Sequence, residues 1–433
     1  MPKNDKNAYL SPEQLCAGLY VHLDLSWIDH PFPFSSFRIK SEDQIKRIHQ
    51  LGLKRIRYSP ERSDSTPLPA AAADREEVVA GNPGENPDNT QSVNDKRQRV
   101  SRLRAQRQTI SESEREFEKT SQTLKAINQN LLSHPEETRI RVNALAEKMA
   151  DSLLTSRDIA VSLMPERIAG EESYQHPLNV TVLSLMLARE LNASRETIVQ
   201  LGVGALLHDI GKLNVPERLL SLTSGLSRAE REMTQEHVAH GVGMGRKLGL
   251  SQEALAVIAQ HHEAVDGSGY PLHLPGERIS LLAKIVAVTN TYDNLCNSAL
   301  PLKKLTPHDA LSQMYSQQRE RFEPGPLSTF IHCLGVYPPG TLVVLGDEAF
   351  GMVMSVNSTR PLRPVVQIYD PDVPREEAIL LDLEHEPDLA IRRTIHPSQL
   401  PREVFNYLAP RRRIAYYFDI AHSSPPNHTR DTQ

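Results

Sequence analysis

Two adjacent imidazoles, His261 and His262, are followed at once by Glu263 and by the run Asp266-Gly267-Ser268-Gly269-Tyr270-Pro271. Upstream, His208 and Asp209 sit inside Ala205-Leu-Leu-His-Asp-Ile-Gly-Lys212. His176 precedes them, with Glu172 four residues earlier and so on the same face of a helix. His237 lies between the two motifs. These imidazoles and carboxylates, spread over several segments, form a metal-ligand inventory. Mixed nitrogen and oxygen donors suit iron, manganese or zinc better than magnesium or calcium. Asp209 can bridge two cations, because a carboxylate has two oxygens and a full charge. Lys212 can reach a phosphate oxygen as a point charge. Gly267 and Gly269 allow close backbone approach, and Tyr270 can pack on a base. Together they describe a metal site beside a pocket for a flat, phosphate-bearing ligand. An isolated His-Asp pair or Gly-x-Gly-Tyr-Pro run means little; here the two kinds of motif occur together. His240, His273, His308 and His332 read as ordinary surface or core histidines.

The elements that must hold these residues are mostly helical. From about 136 to 335 apolar residues recur at helical spacing: Leu178, Val182, Leu185 and Met186 on one helix, Leu201, Val203, Leu206 and Leu207 on the next. The apolar run 281–288 leads into Asn290 and Asp293 and is read as helix, like its neighbours. Residues 8–61 read as a small mixed module, with a strand at 18–25, a helix capped by Ser41 and a closing strand at 55–58. Residues 62–98, rich in Pro, Ala, Asp, Glu, Asn and Gly, read as a flexible linker. Over 99–135 a long polar helix carries Leu103, Ile110, Phe117, Leu124 and Leu131 at seven-residue spacing. The second seam of a coiled coil is missing. That helix either lies on the next domain or dimerises. Beyond Tyr337-Pro-Pro-Gly340 the period changes to short strands, giving a small β-module over 336–422 and a frayed tail from 423.

Composition limits the rest. The chain has 433 residues and a net charge of −5. A slightly acidic balance argues against a nucleic-acid polymer as partner, though a bound metal can supply a local positive field for a small anion. The 3 cysteines, Cys16, Cys296 and Cys333, are far apart and imply neither a disulfide framework nor a zinc-thiolate site. The first residues lack the apolar core of a signal peptide, and no apolar run reaches the roughly 18 residues of a membrane helix. A cytoplasmic setting is expected.

Residues from about 170 to 330 resemble the HD-GYP domain, the subgroup of HD-superfamily hydrolases that act on cyclic di-GMP. The matching motifs are His208-Asp209-Ile-Gly-Lys212, His237 with Gly241, and His261-His262-Glu263-x-x-Asp266-Gly-Ser-Gly-Tyr-Pro271. The first 60 residues resemble the small domain of unknown function that often precedes it. The resemblance implies a mainly α protein: an all-helical HD domain, a small α+β N-terminal module and a small β C-terminal module. It implies that His176, His208, Asp209, His237, His261 and His262 ligate a di-metal centre of iron or manganese, with Asp209 bridging. Glu172 occupies the place of the ligand that allows a third metal. Lys212 contacts the scissile phosphate, and Asp266, Gly267, Gly269, Tyr270 and Pro271 shape the ligand pocket. The reaction implied is two-metal hydrolysis of cyclic di-GMP to linear pGpG, to GMP, or to both. In bacteria that use this messenger, its removal bears on motility and biofilm.

The sequence departs from the family at three places. Asn290 sits where the family has an aspartate ligand; its amide can ligate only through a neutral carbonyl. Asp293, three residues later on a helix, faces about 60° away. The family's Arg-Pro-Tyr-Lys-like phosphate grip is replaced by Ser298-Ala-Leu-Pro-Leu302, with Lys303 and Lys304 just beyond, and a lysine common after the HD helix is Leu222. Two further readings therefore stand beside the enzyme. One is a degenerate member that binds nucleotide or a protein partner without turnover. The other is a phosphohydrolase acting on a different nucleotide.

Overall fold

A computed structural model describes most of residues 8–69, 115–163, 172–221, 226–297, 304–408 and 416–418. In chain order the first elements are β1 (Ala8–Leu10), β2 (Tyr20–His22), β3 (Ser36–Arg38), α1 (Glu42–Gln50) and β4 (Ile56–Tyr58). They form an antiparallel sheet of order β1-β4-β2-β3, so the closing strand expected near the end of the module runs through its middle. α1 lays Ile48 on the inward face of this sheet with Val21, Phe37 and Ile56.

The helical body follows: α2 (115–130), α3 (Pro135–Thr155), then, after β5 (Ala160–Leu163), α4 (Glu172–Glu190), α5 (Arg195–Leu207), α6 (Glu217–Ser221), α7 (Arg228–Gln235), α8 (His237–Lys247), α9 (Gln252–Gln260), α10 (Leu281–Cys296), α11 (Pro307–Gln317) and α12 (Pro324–Leu334). Side chains set where many of them start. Ser194, Ser227, Ser251, Ser280 and Thr306 each accept a first-turn backbone N–H, which satisfies a donor that the helix itself cannot. Helices α4, α5, α9 and α10 are apolar on nearly every side because they form the centre of the largest core cluster.

The seven-residue row of α2 is buried in that same core: Phe117, Leu124 and Leu131 join Ile127, at most 6% exposed. Its apolar face is therefore covered by the chain's own helices. Leu103 and Ile110, the earlier members of the row, lie outside the described residues.

The C-terminal strands are β6 (Leu342–Leu345), β7 (Phe350–Asn357), β8 (Val365–Ile368), β9 (Ile379–Asp382), β10 (Ile391–Thr394) and, beyond α13 (Arg402–Leu408), β11 (Tyr416–Phe418). They do not form a free-standing module. β5, from the middle of the helical sequence, pairs with β7 on one side and β11 on the other. Alternate residues of β6 and β7 divide between two cores. Leu342, Val344, Met352 and Met354 face the helices, while Val343, Leu345 and Val353 face a smaller cluster with Val366 and Ile368. The sheet is thus a cap on the helical body. The sequence patterning of residues 160–163, only four long, carries too little period to be distinguished from a loop between helices.

Candidate metal centre

The donor side chains converge because most of them stand at helix ends. His208 caps the C-terminus of α5, His261 caps the C-terminus of α9, and His237 is the first residue of α8. Asp209 follows His208 in the turn that opens the 3-10 segment Ile210–Asn214. At a helix end the chain changes direction, so neighbours such as His208 and Asp209 can address one centre. Two glycines bring the pieces close: a Cβ on Gly211 would collide with the His237 carbonyl and the Gly241 amide. Only a glycine lets the 3-10 segment lie directly on α8.

Each helix end also fixes the tautomer of its histidine. His208 Nδ1–H donates to the Ala205 carbonyl at 2.7 Å, His237 Nδ1–H to Thr234 at 2.8 Å, and His261 Nδ1–H to Ile258 at 2.9 Å. In each case the acceptor lies three residues back, among the last-turn carbonyls that a helix leaves without its own donors. His176, on α4, donates instead to Asp293 Oδ2 at 2.6 Å. With Nδ1 protonated, each Nε2 is left as a lone-pair donor facing inward.

Asp209 lies between two histidine groups and turns one oxygen to each. Its Oδ1 is 3.4 Å from His237 Nε2 and 3.7 Å from His261 Nε2; its Oδ2 is 3.3 Å from His208 Nε2 and 3.5 Å from His176 Nε2. The donor atoms fall into two sets, Asp209 with His237, His261 and His262, and Asp209 with His176 and His208. Each set lies within 4.8 Å.

The residues fit a metal on their own chemistry. Asp209 Oδ1, His237 Nε2 and His261 Nε2 are buried with no hydrogen-bond partner. Such atoms are costly to bury unless something binds them. His176 Nε2 and His208 Nε2 face each other at 3.3 Å. Two lone pairs so placed need a cation between them. Without metal that cation is a proton. Burial disfavours a charged His176, but the Asp209 and Asp293 carboxylates outweigh it and push its pKa up to about 9. Burial likewise opposes charge on Asp209, yet Lys212 and His208 hold its carboxyl well below the usual range. Burial pushes His237, His261 and His262 down, so they are neutral at pH 7.

Lys212 donates to Asp209 Oδ2 at 2.5 Å and is 40% exposed, at the solvent side of the centre. It belongs to the 3-10 turn rather than to a continued α5. The loop after His262 is folded back on it. Tyr270 N–H donates to the His262 carbonyl, and the Tyr270 ring stacks on the His262 ring with centroids 4.5 Å apart. The ring expected to meet a base therefore has a metal-ligand candidate against it. Asp266 makes a local turn, accepting from Ser268 N–H at 2.9 Å, and Gly267 takes φ +77°. Gly269 packs on the 263–264 backbone, where a Cβ has no room. Pro271 follows Tyr270 through a cis peptide. Glu263, 3% exposed, accepts from Leu272 and Leu274 N–H at 2.7 and 3.0 Å and ties down the far side of the loop.

Asn290 is buried, and its carbonyl oxygen accepts from Asn294 at 2.8 Å. Asp293 is an acceptor: Asn179 and Asn297 donate to its Oδ1 at 2.7 and 2.8 Å while His176 donates to Oδ2. Glu172 opens α4 four residues before His176, but its side chain lies outside the described residues. So do Lys303, Leu222 and the segment 298–302. Sequence reasoning missed Asn179 altogether, since nothing in its neighbourhood distinguishes it from any polar residue on α4.

Family comparisons agree with this architecture. Residues 123–325 match the HD domain, residues 9–139 the domain of unknown function DUF3391, and residues 342–403 the KOW domain associated with HD domain. The helical body thus carries an HD-domain match and the N-terminal part a DUF3391 match. Among curated proteins it is 26% identical over 363 residues to the cyclic di-GMP phosphodiesterase PA4108 of Pseudomonas aeruginosa, covering 82% of this chain and 83% of that one. It is 29% identical over 225 residues to the cyclic di-GMP phosphodiesterase response regulator RpfG of Xanthomonas campestris pv. campestris, covering 51% of this chain and 56% of that one. Among solved structures, Bd1817 of Bdellovibrio bacteriovorus, described as an HDG"Y"P protein, aligns with a TM-score of 0.41 and 14% identity over 75% of this chain and 98% of that one. Among the described residues, no helix is long and apolar enough to cross a membrane.

Proposed function

We infer that the protein is a metal-dependent phosphodiesterase of the HD-GYP kind, hydrolysing cyclic di-GMP to pGpG, GMP or both. The observation that carries the metal chemistry is the division of Asp209 between two histidine groups, one with His237 Nε2 and His261 Nε2 buried and unpartnered, the other with His176 Nε2 and His208 Nε2 facing each other. The cyclic di-GMP phosphodiesterases among its relatives support the substrate. His176, His208, His237, His261 and His262 with Asp209 would hold two divalent cations, iron or manganese, and Glu172 offers a ligand for a third. Cations held there would supply an activated water and positive charge against that growing on the phosphoryl oxygens.

The protein's own groups do the rest. The last-turn carbonyls and Asp293 keep Nδ1 of His208, His237, His261 and His176 protonated, so these four ligand nitrogens are ready without rearrangement. Lys212, on the exposed side of Asp209, can turn its ammonium to a non-bridging phosphate oxygen. The 266–271 loop, held by Glu263, walls the His262 side. We read the N-terminal module as a regulatory or docking unit, because its described residues bring no group to the metal centre. The deciding experiment is cyclic di-GMP hydrolysis by anaerobically purified protein loaded with iron or manganese, followed by chromatography. Steady pGpG or GMP production that is lost on replacing His208 and Asp209 by alanine supports the enzyme. Bound metal with no turnover transfers the protein to the binding-only reading.

A further inference from the structure

The C-terminal strand reaches the metal centre through a short chain of buried hydrogen bonds. Tyr416, fully buried at the start of β11, donates its backbone N–H to Asn179 Oδ1 at 3.0 Å. Asn179 Nδ2 donates to Asp293 Oδ1 at 2.7 Å, and Asp293 Oδ2 accepts from His176 Nδ1 at 2.6 Å. An amide has one acceptor end and one donor end. A backbone N–H can only donate, so Tyr416 forces the carbonyl of Asn179 toward the strand and its NH2 toward Asp293. The strand thereby selects the one amide orientation that supports a buried carboxylate. That carboxylate in turn keeps the His176 proton on Nδ1 and its ligating nitrogen aimed at Asp209 and His208.

β11 is also the element best placed to come loose. Among the described residues it lies at the end of its sheet, spans Tyr416–Phe418 and pairs with β5 alone. Among the described side chains its anchor is the Tyr416 ring, which stacks on Tyr292, one residue before Asp293, with their hydroxyls meeting at 3.2 Å. Short edge elements are the first to open.

We propose that β11, acting through Asn179 and Asp293, is a positioning element for the metal centre: its docking sets metal affinity at the His176–His208 side and leaves the His237–His261–His262 side unaffected. The inference rests on the two-cation reading above. The relay is one-sided because His237 and His261 take their orienting bonds from Thr234 and Ile258, which β11 does not contact through this chain of bonds.

Full-length protein titrated with manganese(II) tests it, with binding constants from chelator competition and the electron paramagnetic resonance signature of a coupled metal pair. Asn179→Leu keeps volume but removes the bonds to Tyr416 and Asp293. Tyr416→Asp unseats the strand. Tyr416→Phe keeps the backbone donor and serves as the control. We expect the first two variants to lose affinity for one manganese by about 10- to 100-fold, the usual cost of removing an outer-shell partner. The coupled-pair signal gives way to that of a single ion, while Tyr416→Phe behaves as wild type. An equal loss of both ions, or unchanged binding in Asn179→Leu, overturns the positioning role. Should Tyr416→Asp not fold, Asn179→Leu decides alone, and Asn179→Ala, which removes the same bonds in a smaller volume, replaces it if it too fails to fold. A wild-type protein that never binds two ions overturns the two-cation reading itself, and with it this proposal.

Discussion

The ring of Tyr270 lies on the ring of His262, with centroids 4.5 Å apart and planes inclined by 21°. The stack orients an imidazole for which the described structure shows no hydrogen bond to either ring nitrogen. His262 differs in this from the other histidines of the centre, which have carbonyls or a carboxylate to hold them. Tyr270→Phe should therefore retain metal and turnover within a few-fold, because the hydroxyl takes no part in the stack. Tyr270→Ala frees the imidazole and should weaken metal binding on that side by about 10-fold. Metal content after dialysis and hydrolysis rates of the two variants check this together. Equal activity in both would mean that the ring has no positioning role.

Asp209 belongs to both donor sets, and His237 to only one. Asp209→Ala should cost both ions and reduce hydrolysis by at least about 10³-fold, since two-metal chemistry loses its shared ligand. His237→Ala should retain one ion. Inductively coupled plasma mass spectrometry on the purified variants distinguishes the two outcomes. Retention of both ions by Asp209→Ala would exclude a bridging carboxylate.

The histidines and Asp209 were legible in the sequence because their types are unusual and their motifs local. What held them was not. The orienting carbonyls of Ala205, Thr234 and Ile258 are backbone, and every residue has one; only the helix ends make them acceptors. Asp293 is visible as a carboxylate three residues past Asn290, but nothing in the sequence marks it as an acceptor that orients a histidine. Its partner, His176, is 117 residues away in sequence, and one chain cannot reveal such a pairing. The seven-residue row of α2 is apolar and periodic in the sequence. Whether its face meets another copy or its own domain depends on tertiary packing, and periodicity is the same for both. The joining of β5 to the C-terminal sheet escaped for a similar reason: four residues define no period, and strand pairing is non-local.

Proton uptake should distinguish the two sides of the centre. His176 has its pKa raised to about 9 in the metal-free protein, above the roughly 6.5 of an unfolded histidine. Its contribution to stability is complete below about pH 6.5 and disappears as pH rises through about 9. His237, His261 and His262 are shifted down, so their contribution is present above about pH 6.5 and lost as pH falls toward their lowered values. Metal loading at pH 7.5 should then release about one proton, from His176 Nε2, and lowering pH to 6 should weaken the His176 side first. Calorimetric titration with manganese in buffers of different ionisation enthalpy measures the number released. A value near zero would contradict the charged His176.

Asn290 can be tested by restoring charge without changing shape. Its side-chain oxygen accepts from Asn294 Nδ2, and an aspartate could keep that bond. Asn290→Asp adds a negative charge at a buried position within the helix that also carries Asp293. If the residue faces the metals as the family pattern implies, metal should dissociate about 10-fold more slowly and turnover should rise. If its amide is purely structural, a buried carboxylate without a cation destabilises the protein instead. Melting temperature with and without manganese separates these cases, since only the first shows a larger metal-induced rise in Asn290→Asp than in wild type.

Gly211 couples the fold to the site most directly. A methyl group there meets the carbonyl of His237 and the amide of Gly241, both backbone atoms that cannot rotate away. Gly211→Ala must push the 3-10 segment off α8, which separates Asp209 from His237 and opens the packing around Ile210 and Val238. The expected loss is about 1–3 kcal/mol of stability, the range for overpacking a tight contact. The metal defect should exceed what that loss explains, because a displacement of a few tenths of an ångström already exceeds ligand-distance tolerance. Gly243, on the same helix but with open space around its Cβ position, is the control: Gly243→Ala should raise stability slightly, as alanine does inside a helix, and leave metal binding intact. Denaturant melts and manganese titrations of the two variants, compared side by side, separate a general helix effect from the contact that brings the ligands together.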